Sequence, residues 1–173
     1  MFENNYDHIQ HAELSERLAS GANWFYWIAG LTLVTSIIQL MGGSLGFGLS
    51  LGITRLIDGF AVYFADSFGD ATKVVAIVLD IFITAMFAAF GYLSNKRYQW
   101  AYLTGMIVFL FDSLLSLLIL SIIGIIVHCI ALFFLIRGYI AGRDLLRLER
   151  DLAESAQAAE SSMSPAPAAQ PTY

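Results

Sequence analysis

The chain has 173 residues, of which 58% are apolar and only 13% are charged, and its formal net charge is −5 at pH 7. Soluble domains average about 45–50% apolar and about 25% charged residues, so the composition excludes an ordinary soluble enzyme and a disordered chain. The nine Lys and Arg residues are scattered and form no basic patch of the kind that binds nucleic acid. The composition predicts a single-domain, multi-pass membrane protein whose first partner is the lipid bilayer.

The chain begins with a polar segment, residues 1–21, which we expect on the cytoplasmic side. Its residues 8–20 have a helical pattern that can continue into the first span. Its acidic start differs from the positive start of a cleavable signal peptide, so we expect the first hydrophobic helix to act as an uncleaved insertion signal. His8 and His11 can share one helix face. Their place near the end of the chain argues against a metal site, and we assign none there.

A membrane helix needs about 20 mostly apolar residues. The stretch from Trp100 to about Ala141 would be about 60 Å long as one helix, twice the hydrocarbon thickness, so it must fold back. Ser121 and Gly124 place the hairpin near 119–123. The sequence therefore predicts an all-α bundle of four membrane helices within residues 22–142, at about 24–41, 74–93, 100–119 and 123–141.

Residues 42–66 allow two interpretations. Six of the fourteen glycines lie between Gly42 and Gly59, and glycine disfavours a continuous helix. From about 54 to 65 the pattern is amphipathic. Its apolar side carries Leu56, Phe60, Tyr63 and Phe64. Its polar side carries Thr54, Arg55 and Asp58. We predict a Gly-rich loop followed by an interfacial or re-entrant helix at about 54–65, the alternative being a fifth span.

Positive charge distinguishes these alternatives, because cytoplasmic loops carry the excess of Lys and Arg. With four spans, both termini and the 95–99 loop share one side, which carries seven such residues, against Arg55 and Lys73 on the other. A fifth span would leave six Lys and Arg residues on the cytoplasmic side against two on the other, and it would place Arg55 inside the membrane. The count favours four spans with both termini cytoplasmic. We further predict a cytoplasmic helix at 143–160 and a disordered tail at 161–173.

Three ionisable residues lie inside the predicted spans: Asp80, Asp112 and His128. Each lies on a face of small or polar residues, and a rise of 1.5 Å per residue puts all three about 8–11 Å below the same membrane boundary. Arg55 can reach this level from the amphipathic segment. One interpretation is an internal network for helix registry, in which His128 donates to Asp112 and Arg55 pairs with Asp80. The other is a cluster that titrates protons or binds a cation.

Catalytic signatures do not accompany these residues. The sequence has no HExxH, GxGxxG or Walker pattern, and the single cysteine, Cys129, excludes a CxxC site. The flanks of Asp80 and Asp112, LDI and FDS, differ from the YD and GxGD patterns of intramembrane aspartyl proteases. We therefore assign no catalytic, cofactor-binding or metal-binding residue, and the sequence leaves any cofactor undetermined.

Four segments carry a resemblance to known sequences: WFYWIAGLTLVTS at Trp24–Ser36, GLSLGIT around Gly52–Thr54, Gly105–Met106 with Phe111–Asp112, and HCIALFFLIRG at His128–Gly138. In these residues the chain resembles a family of small polytopic bacterial membrane proteins with no assigned function. The resemblance covers most of residues 24–141 and implies a bacterial inner membrane, but no chemistry. The family has a more polar turn between its last two spans than the ILSIIG of this chain.

Two functions of different classes fit these observations. The first is a non-enzymatic structural or accessory subunit, with another membrane protein or further copies of itself as partner. The second is a small oligomeric proton- or ion-coupled channel or transporter that uses Asp80, Asp112 and His128. A membrane enzyme or metal-binding protein is a weaker third interpretation. The absence of a catalytic motif and the small size favour the first.

Overall fold

The computed structural model describes residues 2–40, 51–69, 71–118 and 122–163. All regular structure in these ranges is helical, which confirms the predicted all-α fold. The helices are α1 (Phe2–Leu40), α2 (Gly52–Phe68), α3 (Ala71–Asn95), α4 (Gln99–Leu118) and α5 (Ile122–Met163). All but α2 are long and apolar enough to cross a membrane. The chain is therefore a multi-pass membrane protein with one additional helix between its first two spans.

The four long helices form a closed ring in which each packs against two neighbours. α1 packs against α3 and α5, and α4 completes the ring between α3 and α5. The centre holds buried rings and aliphatic side chains, and the outward faces carry exposed apolar side chains. Exposed apolar faces are expected of a membrane protein because lipid tails cover them. The largest fully buried side chains are those of Tyr102, Phe25 and Phe87.

Two helices extend well beyond the predicted membrane spans. α1 joins the polar N-terminal segment to the first span, and α5 joins the last span to the predicted cytoplasmic helix. All three prolines follow Met163, so no proline interrupts either helix. α5 also extends three residues into the predicted disordered tail. The remainder of that tail, the middle of the hairpin at 119–121 and most of the predicted Gly-rich loop lie outside the described residues.

α2 has the predicted amphipathic character and is slightly longer than the predicted 54–65 helix. Leu56, Phe60, Tyr63 and Phe64 are exposed, whereas Thr54 is buried; the side chain of Asp58 is outside the described part. α2 packs against both α3 and α4. The turn after it contains Gly69 with φ of +64°, a left-handed conformation that glycine adopts without steric cost. A second turn, with Arg97 at φ of +67°, joins α3 to α4.

Three helices, α1, α4 and α5, meet at a glycine contact near the beginning of α4. A Cβ atom added at Gly21 would overlap the Tyr102 hydroxyl and lie 2.7 Å from Cα of Gly138. A Cβ at Gly138 would meet the same hydroxyl and lie 2.8 Å from Cα of Gly21. Small residues allow this backbone approach between membrane helices, where the hydrophobic effect supplies little attraction.

Beyond this contact, α1 and α5 continue side by side as an antiparallel pair. Leu18 and Leu145 are buried in it. Further out, the Glu149 carboxylate accepts a hydrogen bond from His11 Nε2 at 2.9 Å and pairs with Arg97 of the α3–α4 turn. The hydrogen bond from His11, together with the bond and charge of Arg97, lowers the pKa of Glu149 below its usual value. The turn is thereby tied to both long helices.

We expect Gly138→Ala to lower the free energy of unfolding by about 1–3 kcal/mol, the usual cost of overpacking a closed contact. The matched control is Gly30→Ala, because nothing lies within 4 Å of a Cβ at Gly30. Alanine favours helix over glycine by up to about 1 kcal/mol, so the control should be neutral or stabilising. Unfolding in mild detergent, followed by circular dichroism, measures both. Equal changes in the free energy of unfolding for Gly138→Ala and Gly30→Ala would contradict a close contact at Gly138.

The Glu149 pair predicts a pH dependence of stability. Because the folded pKa lies below the unfolded value, the contribution of Glu149 is present above the unfolded value and is lost as the pH falls through the folded pKa. We expect the melting temperature of the wild type to fall more steeply in this acidic range than that of Glu149→Gln. Glu154→Gln, on the exposed part of α5, is the control and should follow the wild type. If the melting temperatures of Glu149→Gln and wild type change with pH in parallel, Glu149 does not contribute to the pH dependence of stability.

Candidate functional site

Asp112 lies on the inward face of α4 and is only 3% exposed. Its Oδ2 accepts a hydrogen bond from the backbone N–H of Gly52 at 3.0 Å, and its Oδ1 accepts one from Ile53 at 2.9 Å. These N–H groups belong to the first turn of α2, where a helix has no internal acceptors for them. The negative carboxylate also suits the positive end of the helix dipole. Asp112 therefore caps α2 from a neighbouring helix.

His128 of α5 completes this arrangement. Its Nδ1 lies 2.7 Å from the carbonyl oxygen of Gly124, and since a carbonyl only accepts, Nδ1 carries a proton. Its Nε2 lies 3.1 Å from Oδ2 of Asp112 and 3.2 Å from Oγ of Ser116. These distances put His128 in contact with both Asp112 and Ser116. The contact with Asp112 is the one that the network interpretation of the sequence predicts.

We call Asp112, Ser116, His128 and the amides of Gly52 and Ile53 the Asp112 site. Phe109 covers it from one side, with its ring 5.2 Å from the His128 ring and nearly parallel to it. Gly52 permits the close approach of α2. A Cβ there would lie 2.9 Å from both N and Oγ of Ser116 and 3.0 Å from the backbone oxygen of Asp112. Two of these three atoms belong to the helix backbone, so they cannot move aside cheaply.

Asp80 lies apart from the Asp112 site, between α3 and α1. It is 3% exposed, and its Oδ2 accepts a hydrogen bond from Ser36 Oγ at 2.7 Å. Among the described residues, its other carboxylate oxygen is buried without a hydrogen-bond partner, as is Oγ1 of Thr84 one helical turn further along α3. Within the described part of the chain, Asp80 forms no hydrogen bond or ion pair with the other predicted site residues. One predicted cluster therefore separates into two places.

Arg55 does not reach either carboxylate. It lies on α2, partly exposed, and lines a shallow cavity of about 330 Å³ with Leu56, Gly59, Phe60 and Tyr63. The predicted pair of Arg55 with Asp80 is absent from the described residues. The reason is the orientation of α2, which turns its first backbone amides toward α4 and leaves Arg55 beside its exposed aromatic residues.

The described ranges contain no group of three or more His, Cys, Asp or Glu residues able to hold a metal ion. Of the two N-terminal histidines, His8 is exposed and His11 binds Glu149. Contrary to the expectation that the sequence has no catalytic motif, GGSLG at 42–46 does match the GxSxG spacing of hydrolases. That pattern works at a strand-to-helix turn. Residues 42–46 themselves lie outside the described ranges, and the elements on either side of them are helices.

Some functional groups were missed by sequence reasoning. The amides of Gly52 and Ile53 are the main ligands of Asp112, yet backbone groups leave no signature in a sequence. Ser36, Thr84 and Ser116 did leave a signal, because each lies on a face of small or polar residues within its span. No family model, no curated protein and no solved structure matches the chain. The resemblance to small bacterial membrane proteins therefore stays a prediction.

We expect Gly52→Ala to push α2 away from α4 and break the two amide hydrogen bonds to Asp112. The free energy of unfolding should fall by about 1–3 kcal/mol, and hydrogen exchange should accelerate at the first amides of α2. Gly59→Ala is the control on the same helix, since nothing lies within 4 Å of a Cβ there. Hydrogen exchange followed by mass spectrometry separates the two variants. Unchanged protection at residues 52–55 in Gly52→Ala would contradict the capping role.

Proposed function

We propose that this multi-pass helical membrane protein is a non-enzymatic structural or accessory subunit of a membrane assembly. The observation that carries the proposal is the full use of Asp112 and His128 within the fold. Both oxygens of Asp112 accept backbone hydrogen bonds, and His128 joins the carboxylate to the backbone of its own helix. The residues best suited to ion chemistry are thus engaged in holding α2.

The energetics favour this structural role. Hydrocarbon offers no replacement for a lost hydrogen bond, and each unsatisfied backbone group there costs several kcal/mol. An ion that bound Asp112 would have to displace two amide donors and the imidazole. Breaking a buried charged pair by removing one partner typically costs about 3–5 kcal/mol. A site built in this way is suited to fixing helix positions and poorly suited to repeated exchange of an ion.

We place the protein in a bacterial inner membrane with both termini in the cytoplasm. The pairing of Arg97 with Glu149 supports a common side for the α3–α4 turn and the extension of α5. That side then carries most of the Lys and Arg residues, as the positive-inside rule requires of a cytoplasmic face. The inner membrane rests on the sequence resemblance alone.

The end of α5 supports the accessory role. Residues 151–162 are helical and exposed throughout. Leu145, Leu148 and Leu152 share one face of α5; Leu145 is buried, and Leu152 is exposed beyond the antiparallel pair. A solvent-exposed helix with such a leucine face suits binding by a partner helix. We propose a membrane protein partner or a second copy of this chain as the occupant.

A second candidate function, a small oligomeric proton- or ion-coupled channel, is favoured by one observation. Within the part of the chain that the structure describes, Asp80 has a buried carboxylate oxygen without a hydrogen-bond partner, and Thr84 has a buried hydroxyl without one. Ionisable groups inside a membrane commonly mark ion pathways. In this alternative Asp80 carries the ion, and the Asp112 site remains structural.

One experiment separates the two functions. The purified full chain is reconstituted in liposomes loaded with a pH-sensitive dye, and proton and Na⁺ flux is measured after a gradient is applied. The accessory role predicts flux equal to that of protein-free vesicles for wild type, Asp80→Asn and Asp112→Asn, with reduced stability for Asp112→Asn. It also predicts a stoichiometric second subunit in native mass spectrometry of the protein extracted from its own membranes. If wild type shows flux above that of protein-free vesicles, and Asp80→Asn does not, the accessory role is wrong and the channel function is supported.

A further inference from the structure

A groove between α1 and α5 lies beside the point where the two helices leave the membrane. It consists of two adjoining cavities of about 240 and 260 Å³, and both are lined by Arg17 and Arg137. The first cavity is polar, with Glu13, Glu16 and Ser20 in its wall. The second is mostly apolar, and its lining includes Phe133, Ile136 and Ile140. The groove therefore joins a charged end to an apolar surface.

The charged end contains both signs. Arg17 forms an ion pair with Glu13 one turn away on α1. Glu16 and Arg137 face the same cavity, and neither forms a hydrogen bond or ion pair among the described residues. Asp144, at the edge of the second cavity, pairs with Arg147, so Glu16 and Arg137 are the two opposite charges that the described residues leave for a ligand. Such a site does not suit a purely anionic ligand. It suits a ligand that carries a cation and an anion a few ångströms apart.

The depth of the groove is that of lipid headgroups. Gly138, beside Arg137, contacts the Tyr102 hydroxyl, and Tyr102 lies only three residues inside the first residue of α4. The 20 residues of α4 are about 30 Å long, which equals the hydrocarbon thickness. Arg137 is thus about 5 Å inside the boundary, within reach of the headgroups for a long side chain. Arg17 lies one turn of α1 outside Gly21.

An apolar stripe leads from the charged end into the membrane. Ile126, Ile130 and Phe133 are about half exposed and follow one another on α5 at spacings of three and four, which places them on one face. The stripe runs from Arg137 toward the middle of the bilayer. A lipid whose headgroup sits at Arg137 would lay an acyl chain along these side chains.

We propose that this groove binds a phospholipid with a primary ammonium headgroup, of the phosphatidylethanolamine class. Its phosphate would contact Arg137, its ammonium would contact Glu16, and an acyl chain would follow the stripe at Phe133. A phosphatidylcholine headgroup has no N–H to donate to Glu16, and phosphatidylglycerol has no cation. The groove therefore discriminates by hydrogen bonding and charge together. The proposal does not depend on the proposed function.

The test is native mass spectrometry of the delipidated full-length protein mixed with equal amounts of phosphatidylethanolamine, phosphatidylcholine and phosphatidylglycerol of identical acyl chains. Wild type should retain phosphatidylethanolamine in clear excess. Arg137→Gln should lower that retention about tenfold, as expected for the loss of one strong charge-assisted contact. Glu16→Gln should abolish the preference for ethanolamine over choline without abolishing binding. Arg150→Gln, on the exposed end of α5, should match wild type.

Several outcomes would overturn the proposal. Equal retention of the three lipids by wild type would remove it, and so would a preference for phosphatidylglycerol. Lipid retention in Arg137→Gln equal to that in Arg150→Gln would also remove it. Circular dichroism melting of each variant checks the fold. If Arg137→Gln does not fold, the ethanolamine preference in Glu16→Gln decides the proposal, since persistence of that preference excludes the assigned ammonium contact.

Discussion

A carboxylate among membrane helices must obtain its hydrogen bonds from the protein, because hydrocarbon provides none. Asp112 obtains two from the first turn of α2, and its carboxylate also contacts the imidazole of His128. The same contacts satisfy two amides that would otherwise be unpaired at a helix start. α2 can therefore begin beside the interior of the bundle. The positions of α2, α4 and α5 all follow from this one arrangement of donors and acceptors.

Close backbone contacts fix the bundle at two levels. At the Asp112 site, Gly52 allows α2 to touch the backbone of α4, and at the other end Gly21 and Gly138 let α1 and α5 meet around the Tyr102 hydroxyl. Helices in lipid gain little from hiding apolar surface from one another, so packing and hydrogen bonds must hold them together. Both contacts join backbone approach to a polar group. The apolar side chains that face outward then need only match the lipid.

Much of this architecture could be predicted from the sequence because hydropathy reports membrane helices directly. The amphipathic pattern located α2, and the common depth of Asp112 and His128 on polar faces predicted their contact. For Asp80, the depth in the membrane was not enough to predict its neighbours. Position along a helix gives the level in the membrane, whereas the direction around the bundle depends on which helices are neighbours. Since α3 packs against α1, Asp80 meets Ser36 rather than the Asp112 site.

Other features depend on tertiary contacts that leave no local pattern. The capping of α2 joins residues 60 positions apart, and its donors are backbone groups common to every residue. The polar half of α1 was expected to be helical over residues 8–20, and α1 does continue from it into the first span. The burial of Leu18 together with Leu145 of α5 is a tertiary contact that the sequence pattern does not show.

The uninterrupted course of α1 and α5 has a mechanical consequence. At 39 and 42 residues they are about 58 and 63 Å long, and each runs from the membrane into water without a proline or a described break. An α-helix is stiff over such lengths, so each behaves as a single rod. A tilt or rotation of either helix within the bilayer is therefore carried to its outer end, where the lever arm enlarges it. Bilayer thickness and the orientation of the exposed helix are in this way geometrically linked.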